Sequence, residues 1–532
     1  MTNSEFYPIC RYMGEMMPIK QEDIMSDMEN KHQKYMKEGG IHFVPVWRIV
    51  GFSGANMAVN LYMGLTMIMS FYLNGYVGMA VILASSFSTI TRLWDGVTDP
   101  IVGYFVDKFK GTEKMGKTRL CLILGGFLLF LNSYMMFNVT DRLPEGALRS
   151  IFFIFFTAIY YIGYTFLNIS NYVGNVCLTN DPAQRPILSI VGTILVRVMR
   201  AVMQMVIAGL AVKYGSMRSA DLFHEYWFIV AMLATIGIVI AYFSIAPKDV
   251  PAFSETKPQK KEKVKISDYI DVLKNNRPLQ MMIVARATDQ FSNTCKTSAI
   301  LLVLYGIAAG NYKLSGGWTL YTTIVGLGMM TLGIGAIGAK LGLKKAMQVG
   351  SWGVVIFDTI AILIWTMLDP KTLSLPGYNN GYGEAFSGLT LFTVALFLVT
   401  VIGGGFQMIT SSIVPPMIAD VNDYEASRTG KYKPGMVGTV FSFMDKMISS
   451  FGPTFVGIGF AMIGFKEKFP DLDTPYSLSL LVMAIVFYYG FELLGAVCNI
   501  VAMRFYDLTP EKMRKVQATI DEMRKCSNDN AA

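Results

Sequence analysis

Asp95 and Asp99 stand four residues apart in TITRLWDGVTDPIVGYFVDK, a stretch whose other residues suit a membrane-crossing helix. The i, i+4 spacing puts both carboxylates on one helix face, near enough to share a cation. A charge near the centre of a spanning helix costs about 2.5–3.5 kcal/mol on insertion scales, and such residues face a bundle interior and carry function. Arg92 lies one turn earlier. The cluster is expected to be an ion site, either two hard oxygen donors for a metal cation or one carboxylate that takes a proton beside a like charge. Structural ion pairing with Arg92 is the plainer alternative.

An ion site of this kind needs other spans around it, and the composition supplies them. The chain has 532 residues, of which 53% are hydrophobic and only 16% charged, with a mean hydropathy of +0.42. A soluble chain carries more charge. About twelve apolar segments of about 20–30 residues follow one another, each long enough for a hydrocarbon core of about 30 Å. The expected fold is therefore an all-α membrane protein with twelve transmembrane helices in two six-helix halves.

Lysine and arginine in the short connections orient it. Lys108, Lys110, Lys114, Lys117 and Arg119 follow the second span, Lys340, Lys344 and Lys345 the eighth, and Arg428, Lys431 and Lys433 the tenth. The positive-inside rule puts these loops and both termini in the cytoplasm of a multi-pass protein of the cell membrane. The expected divisions are a polar N-terminal extension over 1–44, one half over 45–247, a basic linker over 248–277, a second half over 278–506, and a tail over 507–532. Leu508, Met513, Val516, Ile520 and Met523 recur at helical spacing in that tail, which predicts an amphipathic cytoplasmic helix. Residues 1–40 contain no apolar h-region, so the first span is expected to direct insertion. Two halves around a polar linker suit an alternating-access transporter with its substrate between them.

Other chemistries find little support. There is no Walker A sequence and no HExxH, and His32, His42 and His224 are dispersed. Gly333, Gly335 and Gly338 spell GxGxxG inside an apolar span, where close helix packing explains them better than nucleotide binding. The cysteines form no CxxC pair, against a redox or zinc motif. The net charge of +8 belongs mostly to cytoplasmic loops, so nucleic acid is not an expected partner. Asn138-Val-Thr140 matches the glycosylation triplet at an expected outer loop.

At RLWDGVTDPIVGYFVDK the chain resembles the glycoside–pentoside–hexuronide:cation symporters, the family of melibiose permease within the major facilitator superfamily. Arg92, Trp94, Asp95, Asp99, Pro100 and Gly103 match the second-helix motif of that family, and Gly116, Lys117 and Arg119 its following loop. In the second half Ala419-Asp420-Val421 and Asp423-Tyr424-Glu425 match the ADxVDYGE signature without its glycine, continued by Thr429-Gly430, Gly435, Phe443 and Lys446. The resemblance spans roughly residues 45–510.

The resemblance implies that Asp95 and Asp99 bind the coupling cation, with a hydroxyl from Thr165 on the fourth helix. Thr98 occupies a position where the family often has an asparagine that helps bind sodium, so Na+ and H+ both remain open. Asn56 and Asn168 occupy positions where the family's acidic sugar ligands stand, and an amide still bonds sugar hydroxyls. Arg92 and Trp94 of the same motif join the expected substrate site. Tyr172 holds the aromatic stacking position; Thr193 holds the place of an arginine, with Arg197 one turn later. The arginines Arg197 and Arg200 suit a negatively charged hexuronide. Lys446 is expected near the central cavity, paired with a carboxylate across the bundle or with Asp445. Arg286, Asp289, Lys296 and Asp358 are read as internal charge balance of the second half. Asp420, Asp423, Glu425 and Arg428 are read as a cytoplasmic gate with basic loop residues.

The expected function is cation-coupled symport of a sugar, glycoside or hexuronide, driven by Na+ or H+, with membrane lipid as surroundings and no resident cofactor. No covalent step is required, so an enzyme is not expected. A carrier of the same fold for an amphiphile or lipid is one alternative. A non-transporting sugar sensor is another, although the tails are short for a signalling domain. Oligomeric state is not set by the sequence.

Overall fold

The computed structural model describes residues 36–37, 41–108, 115–179, 181, 184–249, 266–333, 342–375, 389–429 and 434–529. Lys110, Lys114, Lys340, Lys431, Lys433, Gly335, Gly338 and Gly430 therefore lie outside the described residues, as does the side chain of Met523. A short antiparallel ribbon, Met36–Lys37 with Ile41–His42, precedes the helices.

Before the linker run α1 (Val46–Tyr72), α2 (Val81–Lys108), α3 (Lys117–Tyr134), α4 (Ala147–Leu178), α5 (Gln184–Tyr214) and α6 (Ala220–Ile245). The linker contributes α7 (Ile266–Asn275). Then come α8 (Arg277–Cys295) with its short continuation α9 (Ser298–Leu301), α10 (Lys313–Gly333), α11 (Leu343–Met367) and α12 (Leu391–Thr429). Two jointed rods follow, α13 (Pro434–Ser450) with α14 (Gly452–Met462), and α15 (Leu478–Ile485) with α16 (Phe491–Phe505) across a π-turn. The chain ends in α17 (Pro510–Asp529).

Among the described residues, seven helices are long and apolar enough to cross a membrane, or eight if the pair bent by 114° at residues 308–313 counts as one span. The sequence led us to expect twelve crossings. Helix α2 is absent from the seven, and it is the helix that carries Arg92, Asp95 and Asp99. Helix α12 has 39 residues, a length of about 58 Å at 1.5 Å per residue, and so overruns a hydrocarbon core of about 30 Å.

Within the first group α1 packs on α5 and α6, and α3 and α2 pack on α4; within the second, α11 packs on α12 and α16, and α8 on α13 and α16. The two groups meet along two seams, α2 against α13 and α14, and α5 against α10. Both seams include a glycine at a close approach. A Cβ on Gly316 would lie 2.4 Å from the Met205 Cα, and one on Gly457 would lie 2.6 Å from the Ser85 side chain. Small residues let helix backbones approach this closely where lipid offers no hydrophobic drive for association.

One end of the bundle is sealed. Asn74 donates to the carbonyls of Met79 and Glu467 at 2.8 and 2.6 Å and accepts from the Phe469 amide at 3.1 Å. The Asp471 carboxylate, 2% exposed, accepts from the Met217 amide at 2.9 Å, from Arg218 Nε at 3.0 Å and from the Ser216 hydroxyl. Thr89 donates to the Ser450 carbonyl at 2.6 Å a little deeper in the same seam. The opposite end, where α7 lies, is open to a cavity of about 1030 Å³.

Candidate cation and substrate site

Asp95 and Asp99 do share one face of α2, and that face looks across the seam at α13. Lys446 Nζ lies 3.1 Å from Asp95 Oδ2 and 2.7 Å from Asp99 Oδ2. The Thr165 hydroxyl of α4 donates to Asp99 Oδ1 at 2.9 Å. Asp95 is fully buried and its Oδ1 has no hydrogen-bond partner among the described residues. Three elements thus bring two carboxylates, one hydroxyl and one ammonium to a single point. Thr98 is buried beside them, but its hydroxyl donates to the Asp95 backbone carbonyl at 3.2 Å, within its own helix. Its oxygen keeps lone pairs for a second partner.

These residues offer oxygen ligands of the kind that suits Na+, and an ammonium already fills the electrostatic role of a cation. A buried unpaired carboxylate is costly, and Lys446 supplies the counter-charge to both. Arg92 makes no hydrogen bond or ion pair among the described residues, against the plainer reading in which it would neutralise Asp95.

The remaining substrate candidates divide between two spaces. Asn56 and Thr193 line a pocket of about 140 Å³ between α1, α4 and α5, together with Ser53, Asn171, Asn175 and Ser189. Asn60 Nδ2 donates to the Asn56 carbonyl at 2.9 Å, and Thr193 donates to the Ser189 carbonyl at 2.8 Å. Asn171 and Asn175 were not anticipated, although they continue on α4 the amide-rich run that starts at Asn168. Tyr172 is 73% exposed and lines the 1030 Å³ cavity with Asp99 and Lys446. Trp94 lines neither space; its indole donates to the Ala158 carbonyl of α4 at 3.0 Å. Arg197 and Arg200 sit on α5, and both lack hydrogen bonds and ion pairs among the described residues.

The four residues read as a gate lie together at the far end of α12, with partners from the linker and tail. Arg428 pairs with Glu425 and with Asp271 of α7, each at 2.8 Å, and Asn276 donates to Glu425 at 2.9 Å. Asp423 accepts from Gln517 of α17 at 2.7 Å. Asp420 makes no hydrogen bond or ion pair among the described residues. At the other end of the linker the buried Asp249 accepts from the Thr118 and Arg119 amides at 3.1 and 2.8 Å and pairs with Arg119 Nε at 3.3 Å. The linker is therefore clamped to each half by an acid and an arginine, an arrangement the sequence did not suggest. Asn138 is 7% exposed, so it does not present a glycosylation acceptor.

Residues 51–510 match the family model described as MFS/sugar transport protein. The chain is 23% identical over 397 residues to an uncharacterized symporter, YjmB, of Bacillus subtilis (strain 168), covering 74% of this chain and 78% of that one. It is 20% identical over 430 residues to a putative glycoside/cation symporter, YagG, of Escherichia coli (strain K12), covering 80% and 85%. Among solved structures, the nucleoside transporter NupG superposes with a TM-score of 0.54 at 13% identity, covering 87% of this chain and 100% of that one. A proton-dependent oligopeptide transporter structure superposes with a TM-score of 0.56 at 11% identity, covering 88% and 99%. Those structures share the fold.

Proposed function

Because the chain belongs to the MFS/sugar transport protein family, and is a multi-pass membrane transporter rather than an enzyme, we propose that it is a secondary active symporter. It couples Na+ or H+ to movement of a sugar, glycoside or hexuronide by alternating access, with all twelve helical rods crossing the cell membrane and both termini in the cytoplasm. The names of the relatives, a symporter and a putative glycoside/cation symporter, support this reading. The single observation that carries it is Lys446, an ammonium from one half held between two carboxylates of the other.

In this reading the sealed end faces outward and the 1030 Å³ cavity opens to the cytoplasm. Lys446 neutralises Asp95 and Asp99 after the cation has left, so the empty carrier returns without bare charges in the seam. A cation arriving from outside competes with Lys446 for the carboxylates, with Thr165 and Thr98 as further oxygen donors. By linkage, a substrate that binds better to the cation-loaded state raises cation affinity by the same factor. The membrane potential adds roughly 2.3 kcal/mol per charge per 100 mV.

Substrate contacts come from Asn56 and Thr193 in the side pocket, Asn168 and Tyr172 on α4, and the arginines of α2 and α5. Three guanidiniums without hydrogen bonds or ion pairs among the described residues favour a substrate with an acidic group, which is why a hexuronide stands beside neutral sugars. The acid and arginine cluster of Asp420, Asp423, Glu425 and Arg428 moves with α7 and α17 when the open end closes. The apolar wall of the large cavity, with Ile270, Leu273, Val440 and Phe443, favours as second reading an amphiphile as cargo.

Uptake into proteoliposomes tests this directly, with labelled glycosides, hexuronides and a fluorescent lipid, under imposed Na+ or H+ gradients. Accumulation of a sugar that requires one gradient and disappears in Asp95→Cys supports symport and names the cation. Accumulation indifferent to Asp95, or transport of the lipid alone, overturns it.

A further inference from the structure

We propose that the second half contains a second monovalent-cation site, formed by Asp358, Glu492 and Thr400 and held in its unloaded form by Lys296. In the sequence Lys296 and Asp358 read as internal charge balance, and the geometry leaves that account incomplete. A pocket of about 150 Å³ lies among α10, α11, α12 and the last rod. Glu492 of α16 is fully engaged in it: Lys296 pairs with one carboxylate oxygen, and Gln407 of α12 donates to the other. Asp358 of α11 has no such engagement. It is 8% exposed, and its Oδ2 has no hydrogen-bond partner among the described residues. The Thr400 hydroxyl, lining the same pocket, is likewise buried and without a hydrogen-bond partner.

Counting charges decides the class of ligand. Among the described residues that line this pocket, two carboxylates and one ammonium leave one net negative charge. The other lining residues contribute no further cation: Tyr488 and Tyr489 come from the last rod, and Thr322 and Thr323 from α10. Asp289, farther along α8, is bonded to Asn499 at 2.9 Å and lies under the charge of Arg286. A buried, unpaired carboxylate is expensive, and binding one cation removes the charge. The Asp358 and Glu492 carboxylates line the same pocket, where a single proton or Na+ serves both. The pocket has room for a few waters at about 30 Å³ each to complete the shell of a metal ion.

The inventory repeats that of the first half. Asp95, Asp99, Thr165 and Lys446 are two carboxylates, a hydroxyl and a lysine, with one orphaned carboxylate oxygen. Asp358, Glu492, Thr400 and Lys296 are the same set, again with an orphaned carboxylate oxygen. The local backbone is broken at the lysine. Lys296 stands where the helix is interrupted between Cys295 and Ser298, its ammonium 4.7 Å from the centre of the Tyr488 ring. Interrupted helices at mid-membrane are where transporters build ion sites. Movement of this joint withdraws Lys296 from Glu492 and exposes both acids to an arriving cation.

Binding itself does not rest on the symport reading; its role in coupling does. The test uses the intact purified protein in lipid nanodiscs, with radiolabelled sodium as probe and, in sodium-free buffer, infrared detection of carboxyl groups that titrate. The expected result is two bound sodium ions per chain, falling to one in Asp358→Asn, or one titrating carboxyl band lost in that variant. Thr400→Val, a smaller change, is expected to weaken the same event on the order of tenfold. A sodium count and a carboxyl spectrum both unchanged in Asp358→Asn and Thr400→Val overturn the proposal. If gradients drive no accumulation in proteoliposomes, the symport reading fails while these counts still decide the site.

Discussion

Lys446 Nζ stands 2.7 Å from Asp99 and 3.1 Å from Asp95, so one ammonium on α13 satisfies two carboxylates on α2. The contact crosses the seam between the halves and cannot survive their separation. Lys446→Met leaves both acids without a counter-charge. Breaking a buried pair costs about 3–5 kcal/mol. The Lys446 side chain is 33% exposed, so solvent screening reduces the expected loss to about 2 kcal/mol. Thermal unfolding in detergent measures it, and Asp99→Asn added to Lys446→Met is expected to recover roughly half. A double variant no more stable than Lys446→Met shows that the three groups are not one electrostatic unit.

The two glycines at the seams hold the sealed end shut by allowing contact. Gly316→Ala places a methyl 2.4 Å from a backbone atom of Met205, and Gly457→Ala places one 2.6 Å from Ser85. Overpacking of this kind costs about 1–3 kcal/mol. The cost falls on the conformation seen here and not on one in which these seams are parted. The population of the opposite opening is therefore expected to rise by roughly tenfold. A cysteine at Tyr172, in a cysteine-free background, reports it through slower labelling from the open cavity by an impermeant thiol reagent. Labelling as fast as with both glycines intact refutes the argument.

Lys248, just beyond the end of α6, supplies a pH dependence. Burial pushes its ammonium down from 10.5 to about 8. Between about pH 8 and the ordinary 10.5 the unfolded chain holds a proton that the folded chain lacks, so stability rises with pH across that window. Below about pH 8 both states are charged, and this residue gives no slope. Unfolding temperature against pH is expected to climb in the window for the intact protein and to be flatter for Lys248→Met. An equal climb in both assigns the effect elsewhere.

The features legible in the sequence are those set by local periodicity. Spacing alone put Asp95 and Asp99 on one face, and apolar length with charge gave a bundle in two groups around a basic linker. Partners distant in the chain were less accessible. Lys446 was placed near the cavity by family resemblance, and its carboxylates lie 347 and 351 residues away. Nothing marks Asp471 as the partner of Met217, 254 residues earlier, or Asp249 as the partner of Arg119, 130 residues earlier. Asp420, Asp423, Glu425 and Arg428 lie together because they share α12, while the partners Asp271, Asn276 and Gln517 come from polar segments whose spacing carries no signal. The expected twelve crossings exceed the seven or eight helices that qualify by apolarity, because a transporter concentrates polar residues in the helices that do the work, α2 foremost.

Arg92, Arg197 and Arg200 give the sharpest statement about cargo. Guanidiniums stay charged at any relevant pH, so three without hydrogen bonds or ion pairs among the described residues leave positive charge for a ligand to meet. Charge-assisted bonds to a carboxylate contribute about 1.5–3 kcal/mol each. Removing two of them, in Arg197→Gln with Arg200→Gln, is expected to weaken hexuronide transport by at least about tenfold per arginine. A neutral glycoside forms no such bonds and is expected to lose less than about threefold. Competition between a labelled hexuronide and the matching neutral sugar, in proteoliposomes of both proteins, measures the ratio without needing absolute rates. Equal losses for the two sugars locate Arg197 and Arg200 in the structure of α5 rather than in the substrate's path.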